Sequence, residues 1–593
     1  MTDETINMEV DGRAVTACPG QMIIEVTDAA DVYVPRFCYH KKLSIAANCR
    51  MCLVEVENIP KPLPACATPV AEGMKVLTRS PLAQSAQKAT MEFLLINHPL
   101  DCPICDQGGE CELQDLAVGY GGDVSRYTEK KRVVRDSDLG PLVSTDMTRC
   151  IHCTRCVRFG SEVAGIQELG TLGRGENTEI GTFVEKSVNH ELSGNIIDLC
   201  PVGALNSKPF RYQARSWEMA QLETVAPHDC VGSNLYAHVR RGRLMRVVPR
   251  DNEDVNETWI SDRDRFSYEG VYGDDRLQTP MLKQDGEWVE TDWATALRAV
   301  AEGLTAAAAE KHGKRLGFVA SPSATLEEFY LLARLSRGLG SDNIDHRLRR
   351  TDFTSQDSDP LMPGIGMSLA ELEQADATLI IGADLRREAP MLAHRIRKAA
   401  INGAKISFLN PDKLDLLFDV SEYLTAVPSK LPDALESILA VASDNDSKAD
   451  SQDGTAAIAR MLMKAAQPVI MLGHLAGRHP QFSSLCRLAS RLATATGARL
   501  AFVTEGANTA GGALAGALPH RGVGGEPVEN PGKSCRDMLA EPQAACVLFG
   551  IEPEYDTQVG VASIATLEQT PFVVSMASFA TDTMREYADV LLP

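Results

Sequence analysis

At 593 residues the chain is too long for one hydrophobic core, and its 44% hydrophobic and 23% charged residues match ordinary globular proteins. A net charge of −21 and a pI near 5.1 argue against nucleic-acid binding and polybasic membrane attachment, because phosphate backbones and anionic lipids repel such a surface. The longest apolar runs, such as Ala544 to Ile551, are far shorter than a bilayer requires, so no direct membrane insertion is expected.

The opening Met1-Thr2-Asp3-Glu4 has neither a basic nor an apolar region, which predicts no secretory signal and no transit peptide. Ile6 to Val10 and Arg13 to Ala17, joined by Asp11-Gly12, read as a β-hairpin. Met22 to Asp28 follows as a short helix. Apolar spacing predicts another helix over 83–97, and Pro99 ends it and leaves His98 on the following turn. Beyond about residue 276 the pattern alternates strand and helix. Strands are expected at 316–320, 377–381, 405–409, 469–472, 500–503, 546–549 and 572–575, with helices at 326–337 and 390–402. That alternation predicts one parallel, doubly wound sheet. Ser443 to Gly454 reads as a mobile polar loop. Gly382-Ala383-Asp384 and Gly511-Gly512 read as turns, since neither completes a nucleotide-binding fingerprint. With no flavin or NAD motif, no site for hydride transfer is expected on this chain.

Sixteen cysteines are present, and twelve of them precede residue 218. In a large chain without an export signal, such clustering points to metal rather than disulfides. The first group is Cys38, Cys49, Cys52 and Cys66. Four soft thiolates complete either a two-iron cluster or a zinc site. The hairpin and short helix before them look like the β-grasp of plant-type ferredoxins, although the first gap is longer than in those proteins. The second group is His98, Cys102, Cys105 and Cys111. Three thiolates leave a four-iron cluster one ligand short, and a neutral imidazole can fill the place. Considered alone, this set would more often bind zinc. The third group is Cys150, Cys153 and Cys156, with Cys200-Pro201-Val202-Gly203-Ala204 beginning about 43 residues further on. Two successive two-residue gaps with a distant Cys-Pro follow the bacterial ferredoxin pattern, with zinc as the alternative. Cys18, Cys230, Cys486, Cys535 and Cys546 stand apart and are expected to be small buried hydrophobes.

The segment His98 to Asp115, ending Gly108-Gly109-Glu110-Cys111-Glu112-Leu113-Gln114-Asp115, resembles the His(Cys)3 segment of complex I large subunits. The order of the three groups is similar to that family over residues 1 to about 218. The same module also occurs in iron-only hydrogenases and NAD-linked formate dehydrogenases. From Thr224 to Leu282 the chain looks like the small leading domain of molybdopterin oxidoreductases. Val231-Gly232-Ser233-Asn234 and Trp259-Ile260-Ser261-Asp262-Arg263 also match the complex I version. Around Cys230 no Cys-x-x-Cys occurs, so the additional cluster that some members carry there is not expected. No cysteine lies between Cys230 and Cys486, and Arg349-Arg350-Thr351-Asp352 offers no soft ligand, so no molybdenum is expected.

The resemblance implies a multidomain α+β and α/β chain. Its parts are a ferredoxin-like 2Fe-2S domain (1–79), a His(Cys)3 4Fe-4S segment (80–119), a bacterial-ferredoxin-like 4Fe-4S domain (120–218), a small cluster-less domain (219–275) and a molybdopterin-oxidoreductase-like α/β domain (276–593). It further implies one 2Fe-2S and two 4Fe-4S clusters, on the residues of the three groups in order. Electrons from NADH would pass from FMN on a partner to the first group, then the Cys150 group, then the His98 group, and leave toward quinone. The implied partners are the flavin subunit and other peripheral-arm subunits, on the cytoplasmic side of a bacterial inner membrane, with proton translocation belonging to the whole complex. A hydrogenase or formate dehydrogenase subunit is the alternative, but the further cysteines or molybdenum ligand that these need are not expected here. The segment Ala588 to Pro593 lies inside the domain in that family, so a truncated or unusually short final region is expected, with a sheet edge either exposed or covered by a partner.

Overall fold

The computed structural model describes residues 5–182, 187–310, 313–443 and 454–593. The chain divides into two compact units, one of residues 1–222 and 236–248, the other of 223–235 and 249–593.

The first unit opens with Ile6–Val10 (β1) and Arg13–Ala17 (β2), paired antiparallel through Asp11 and Gly12 at φ 46° and 81°. Two positive φ values give the turn whose twist matches the flanking strands. Ile23–Ala29 (α1) follows, then Leu53–Val56 (β3), Leu63–Pro64 (β4) and Lys75–Leu77 (β5). The sheet order β2-β1-β5-β3-β4, with β5 parallel to β1, is the β-grasp arrangement. Its core is Val10, Ile23, Ile24, Val54 and Val76, all at most 1% exposed. Burying each such side chain contributes about 2 kcal/mol.

Pro81–Leu95 (α2) starts cleanly because Ser80 caps the Ala83 amide and Pro81 occupies the first turn. Buried Gln87 donates Nε2 to the Leu53 carbonyl at 2.9 Å, tying α2 to β3. Glu112–Tyr120 (α3), Val143–Thr145 (β6), Arg155–Arg158 (α4), Leu169–Leu172 (β7), Glu179–Thr182 (β8), Asn195–Leu199 (α5) and Leu205–Ser207 (β9) follow. Here β6 pairs with β9 and β7 with β8. Short elements joined by long loops leave the backbone free to wrap around a group. Ala220–Val225 (β10), Asn234–Arg240 (β11) and Arg243–Pro249 (β12) form a three-stranded sheet.

The second unit contains two sheets, not the single one expected. Met281–Gln284 (β13), Glu287–Glu290 (β14), Leu316–Ala320 (β15), Ile344–Asp345 (β16), Ala545–Phe549, Val573–Met576 and Val590–Leu592 build a seven-stranded mixed sheet. Between them in sequence, Ala377–Ile381 (β17), Lys405–Asn410 (β18), Glu422–Thr425 (β19), Pro468–Leu472 (β20) and Arg499–Phe502 (β21) form a separate five-stranded parallel sheet, ordered β19-β18-β17-β20-β21. The last three strands of the larger sheet are β22 to β24. Apolar runs identify strands buried on both faces, but carry no information on which neighbour each one joins. Helices Leu431–Ser443, Gly454–Lys464 and Phe482–Thr496 pack Leu435, Leu462 and Leu485 against the smaller sheet.

Strand β24 lies between β13 and β23, so the final segment occupies the sheet's interior and not an open edge. Gly511 and Gly512 are not a turn. They sit in the helix Thr509–Leu514, where Gly512 presses against the His346 ring and a Cβ would meet its Cε1 at 2.8 Å. The expected 443–454 loop lies, for 444–453, outside the described residues. Among the described residues no helix is long and apolar enough to cross a membrane.

Candidate metal centres

All twelve predicted donors belong to the first unit. In the first group, Cys38, Cys49, Cys52 and Cys66 are between 1% and 7% exposed. Arg50 and Ala47 adopt φ 58° and 51°, an uncommon conformation for residues with a Cβ, costing about 1 kcal/mol each. Such turns let Cys49 and Cys52 face one hollow. The Cys38 amide donates to Cys49 Sγ at 3.4 Å, and the Cys38 thiol meets both Cys49 and Cys66. Hydrogen bonding to Cys38, and then burial, pushes Cys49 up; contact with Cys38 and Cys52 does the same to Cys66.

The third group is built by the same device. His152 and Thr154, one inside each Cys-x-x-Cys gap, have φ 54° and 59°. Cys150, Cys153, Cys156 and Cys200 line one cavity with Met147, Ile151, Thr154, Ile180, Val202, Ala204 and Leu205. Burial pushes Cys150 up to about 11 and Cys153 and Cys200 up to about 12, with Cys156 also well above its ordinary value. A hollow that disfavours thiolates this strongly needs a cationic centre to ionise them, so metal binding and proton release are coupled. The His152 amide donates to Cys150 Sγ at 3.4 Å.

In the second group, Cys105 and Cys111 are buried and Cys102 is exposed. Burial, then the neighbouring Cys105 and Cys102, pushes Cys111 up to about 11. Burial pushes His98 down to about 4, opposed by a hydrogen bond to the Arg149 backbone. Its Nδ1 is buried and has no hydrogen-bond partner, as a ligand nitrogen requires. Gly203 touches this group from the Cys200 loop: a Cβ there would lie 2.1 Å from Cys105 Sγ. The four donors of each group, soft sulfurs with one neutral imidazole in the second, fit iron–sulfur clusters. Among the described residues, no three or more His, Cys, Asp or Glu side chains converge as closely as one metal ion demands.

Gly203 and three buried arginines escaped the sequence reading. Arg149 donates Nη1 to the Gly203 carbonyl at 3.3 Å and pairs through Nε with Asp101 at 3.1 Å. Arg155 and Arg158 flank Cys156 on α4. Their signal was present, since Arg149, Arg155 and Arg158 edge or interleave the Cys150–Cys156 stretch, but such residues usually face solvent.

Of the five lone cysteines, Cys535 and Cys546 are buried, while Cys230 and Cys486 are partly so. Cys18 is exposed, contrary to expectation, because it follows β2 at a turn that presents it outward. In the second unit, Arg350 pairs with Asp359, and Arg349 donates to the carbonyls of Asp556 and Tyr555.

Five families match successive stretches. They are described as a 2Fe-2S iron-sulfur cluster binding domain (residues 3–81), an NADH-ubiquinone oxidoreductase-G iron-sulfur binding region (87–126), the ferredoxin-like domain of NADH-quinone oxidoreductase subunit 3 (140–206), an NDSU1/NuoG-like 4Fe-4S domain (219–269) and molybdopterin oxidoreductase (276–593). The fourth match carries a 4Fe-4S description, yet that stretch contains Cys230 alone. The last match spans more than half of the chain, and the protein therefore belongs to the molybdopterin oxidoreductase family.

Its relatives narrow this further. The 75 kDa subunit of NADH-ubiquinone oxidoreductase from Reclinomonas americana is 42% identical over 79% of this chain and 66% of its own length. Iron-sulfur protein 1 of mitochondrial NADH dehydrogenase from Solanum tuberosum is 47% identical over 73% of this chain and 58% of its own. The corresponding NADH-quinone oxidoreductase subunit of Rickettsia felis is 43% identical over 68% of this chain and 59% of its own. The chain is thus a homologue of the large iron–sulfur subunit of complex I, and it spans under two thirds of those relatives' lengths. A solved NAD+-reducing [NiFe]-hydrogenase chain is 28% identical over 35% of this chain and 90% of its own, but its TM-score of 0.33 carries no argument.

Proposed function

We propose that this chain is an electron-transfer subunit of a proton-translocating NADH:quinone oxidoreductase, standing between a flavin-bearing NADH-oxidising partner and quinone. Cys38, Cys49, Cys52 and Cys66 would hold a 2Fe-2S cluster. His98, Cys102, Cys105 and Cys111 would hold one 4Fe-4S cluster, and Cys150, Cys153, Cys156 and Cys200 a second. When bound, such clusters accept and release single electrons with little rearrangement.

The observation that carries this reading is the gathering of three donor groups within one compact unit, two of them locked together where Gly203 meets Cys105. The chain's own contribution is to bind, space and shield. Buried apolar residues around the Cys150 group exclude water, and amide donors to Cys49 and Cys150 sulfur offset negative charge. Electron transfer of this kind requires no general acid, base or nucleophile from the chain. The domain boundaries 79/80, 119/120, 218/219 and 275/276 follow this division. We read the second unit as scaffold without molybdenum, and the chain as peripheral on the cytoplasmic side of a bacterial inner membrane, attached through its partners.

The test is a Cys153→Ser exchange in the intact membrane complex. Electron flow from NADH to a quinone analogue should fall at least tenfold, while NADH oxidation by an artificial acceptor at the flavin persists. Unchanged quinone reduction would overturn the proposal.

A further inference from the structure

Three arginines of the first unit, Arg149, Arg155 and Arg158, are at most 9% exposed, and one of them reaches all three donor groups. Arg155 is 4% exposed. Its Nη2 donates at 2.9 Å to the carbonyl of Tyr39, the residue after Cys38. Its Nη1 donates at 3.3 Å to the carbonyl of Leu199, the residue before Cys200. Both nitrogens grip the carboxylate of Glu112, the residue after Cys111, at 2.9 and 3.2 Å. Arg155 itself adjoins Cys156. Three donors, one in each group, thus have a neighbour in contact with one guanidinium, and a fourth, Cys156, is joined to Arg155 in sequence.

Arg158, one turn further on, reaches less widely. It donates to the carbonyls of Cys38, Ser44 and Cys153, which serve the first and third groups only. The comparison separates the two roles. Arg158 links a pair of sites, whereas Arg155 sits at the junction of three. Arg155 also keeps its Nε buried and without an acceptor, so its hydrogen-bonding capacity exceeds what the protein uses.

Charge makes this placement consequential. The guanidinium is buried, while the Glu112 side chain is 45% exposed, so solvent screens the carboxylate more than the cation. A buried positive charge favours whichever state of a neighbouring centre carries the extra electron. A planar five-donor fork also holds backbone geometry that a lysine cannot reproduce.

We propose that Arg155 is the positioning residue common to all three sites: its fork fixes the backbone beside each donor group, and its charge sets their reduction potentials jointly. This rests on the electron-transfer reading above. Replacing the arginine by methionine removes both fork and charge, and the potentials of all three centres fall together. Lysine keeps the charge but not the fork, so potentials stay near those of the unsubstituted protein while the spacing between centres loosens. Glu112→Gln removes only the counter-charge, at a half-exposed position, and shifts the potentials upward, in the opposite sense to methionine.

The experiment is a redox titration of the purified complex followed by EPR, in unsubstituted, Arg155→Met, Arg155→Lys and Glu112→Gln forms, with spin–spin broadening read as a measure of spacing. Downward shifts with methionine, upward shifts with Glu112→Gln and altered broadening with lysine are expected. Should the methionine variant lose its iron, the sign of the Glu112→Gln shift decides. Potentials unmoved by Glu112→Gln, or a shift confined to one centre, would overturn the inference. Absence of cluster signals from the unsubstituted complex would instead overturn the electron-transfer reading itself, and this inference with it.

Discussion

Gly203→Ala tests how tightly two of the sites are bound to each other. The added methyl would sit 2.1 Å from Cys105 Sγ and 3.2 Å from Gln107 Cβ. Non-bonded heavy atoms rest about 3.5–4.0 Å apart, so the sulfur contact is short by roughly 1.5 Å. Neither side yields easily. The Gly203 carbonyl is held by Asn206 Nδ2 at 2.9 Å and Arg149 Nη1 at 3.3 Å, and the Cys105 amide is held by the Asp101 carbonyl at 2.8 Å. Overpacking costs about 1–3 kcal/mol, and with both partners anchored the cost here falls near the upper figure. The sulfur leaves its place, and iron per chain drops from roughly ten to roughly six as the His98 group fails to hold its share. Iron and sulfide assay with thermal melting reads both effects. Gly170→Ala, which places its methyl in open space, is the control and retains full iron. A Gly203→Ala protein with full iron and an unchanged melting temperature would refute the reasoning.

Gly119 lies in α3 with nothing near its missing side chain, so Gly119→Ala raises stability by about 0.5–1 kcal/mol, measured by chemical denaturation. In the second unit, burial and then Arg347 and Arg521 push His520 down to about 4. The unfolded chain then binds the proton first, so stability is fully present above about pH 6.5 and is lost as pH falls toward 4. His520→Leu flattens that part of a melting-temperature profile. Glu257, 2% exposed, accepts from His394 Nε2 at 2.9 Å and Lys398 Nζ at 2.6 Å and pairs with Arg395 at 3.5 Å. Glu257→Gln strips charge from that buried network and costs about 3 kcal/mol in the second unit's unfolding transition.

Local rules reached far into this fold. The hairpin at Asp11-Gly12 and strands such as Ala377–Ile381 follow from turn chemistry and continuous apolar runs, and the structure has them at the expected residues. Pairing between strands distant in sequence was not legible. The insertion of β24 beside β13, and the split into two sheets, depend on topology that no short window encodes. The same boundary runs through the site. Cysteine spacing singled out the first and third sets, whose side chains the fold brings near one another: Cys38 meets Cys49 and Cys66, and Cys150, Cys153, Cys156 and Cys200 line one cavity. Gly203 against Cys105 and Arg155 against Tyr39, Leu199 and Glu112 join residues from 43 to 116 positions apart, and only the folded chain brings them into contact.

The central claim is that twelve named donors hold three iron–sulfur clusters. Iron and acid-labile sulfide content, with EPR of anaerobically purified, dithionite-reduced protein, tests it most directly. The account predicts roughly ten irons per chain and signals from one two-iron and two four-iron centres. Zinc in place of iron, with no EPR signal in anaerobic preparations, would contradict it and leave a metal-stapled scaffold without a redox role.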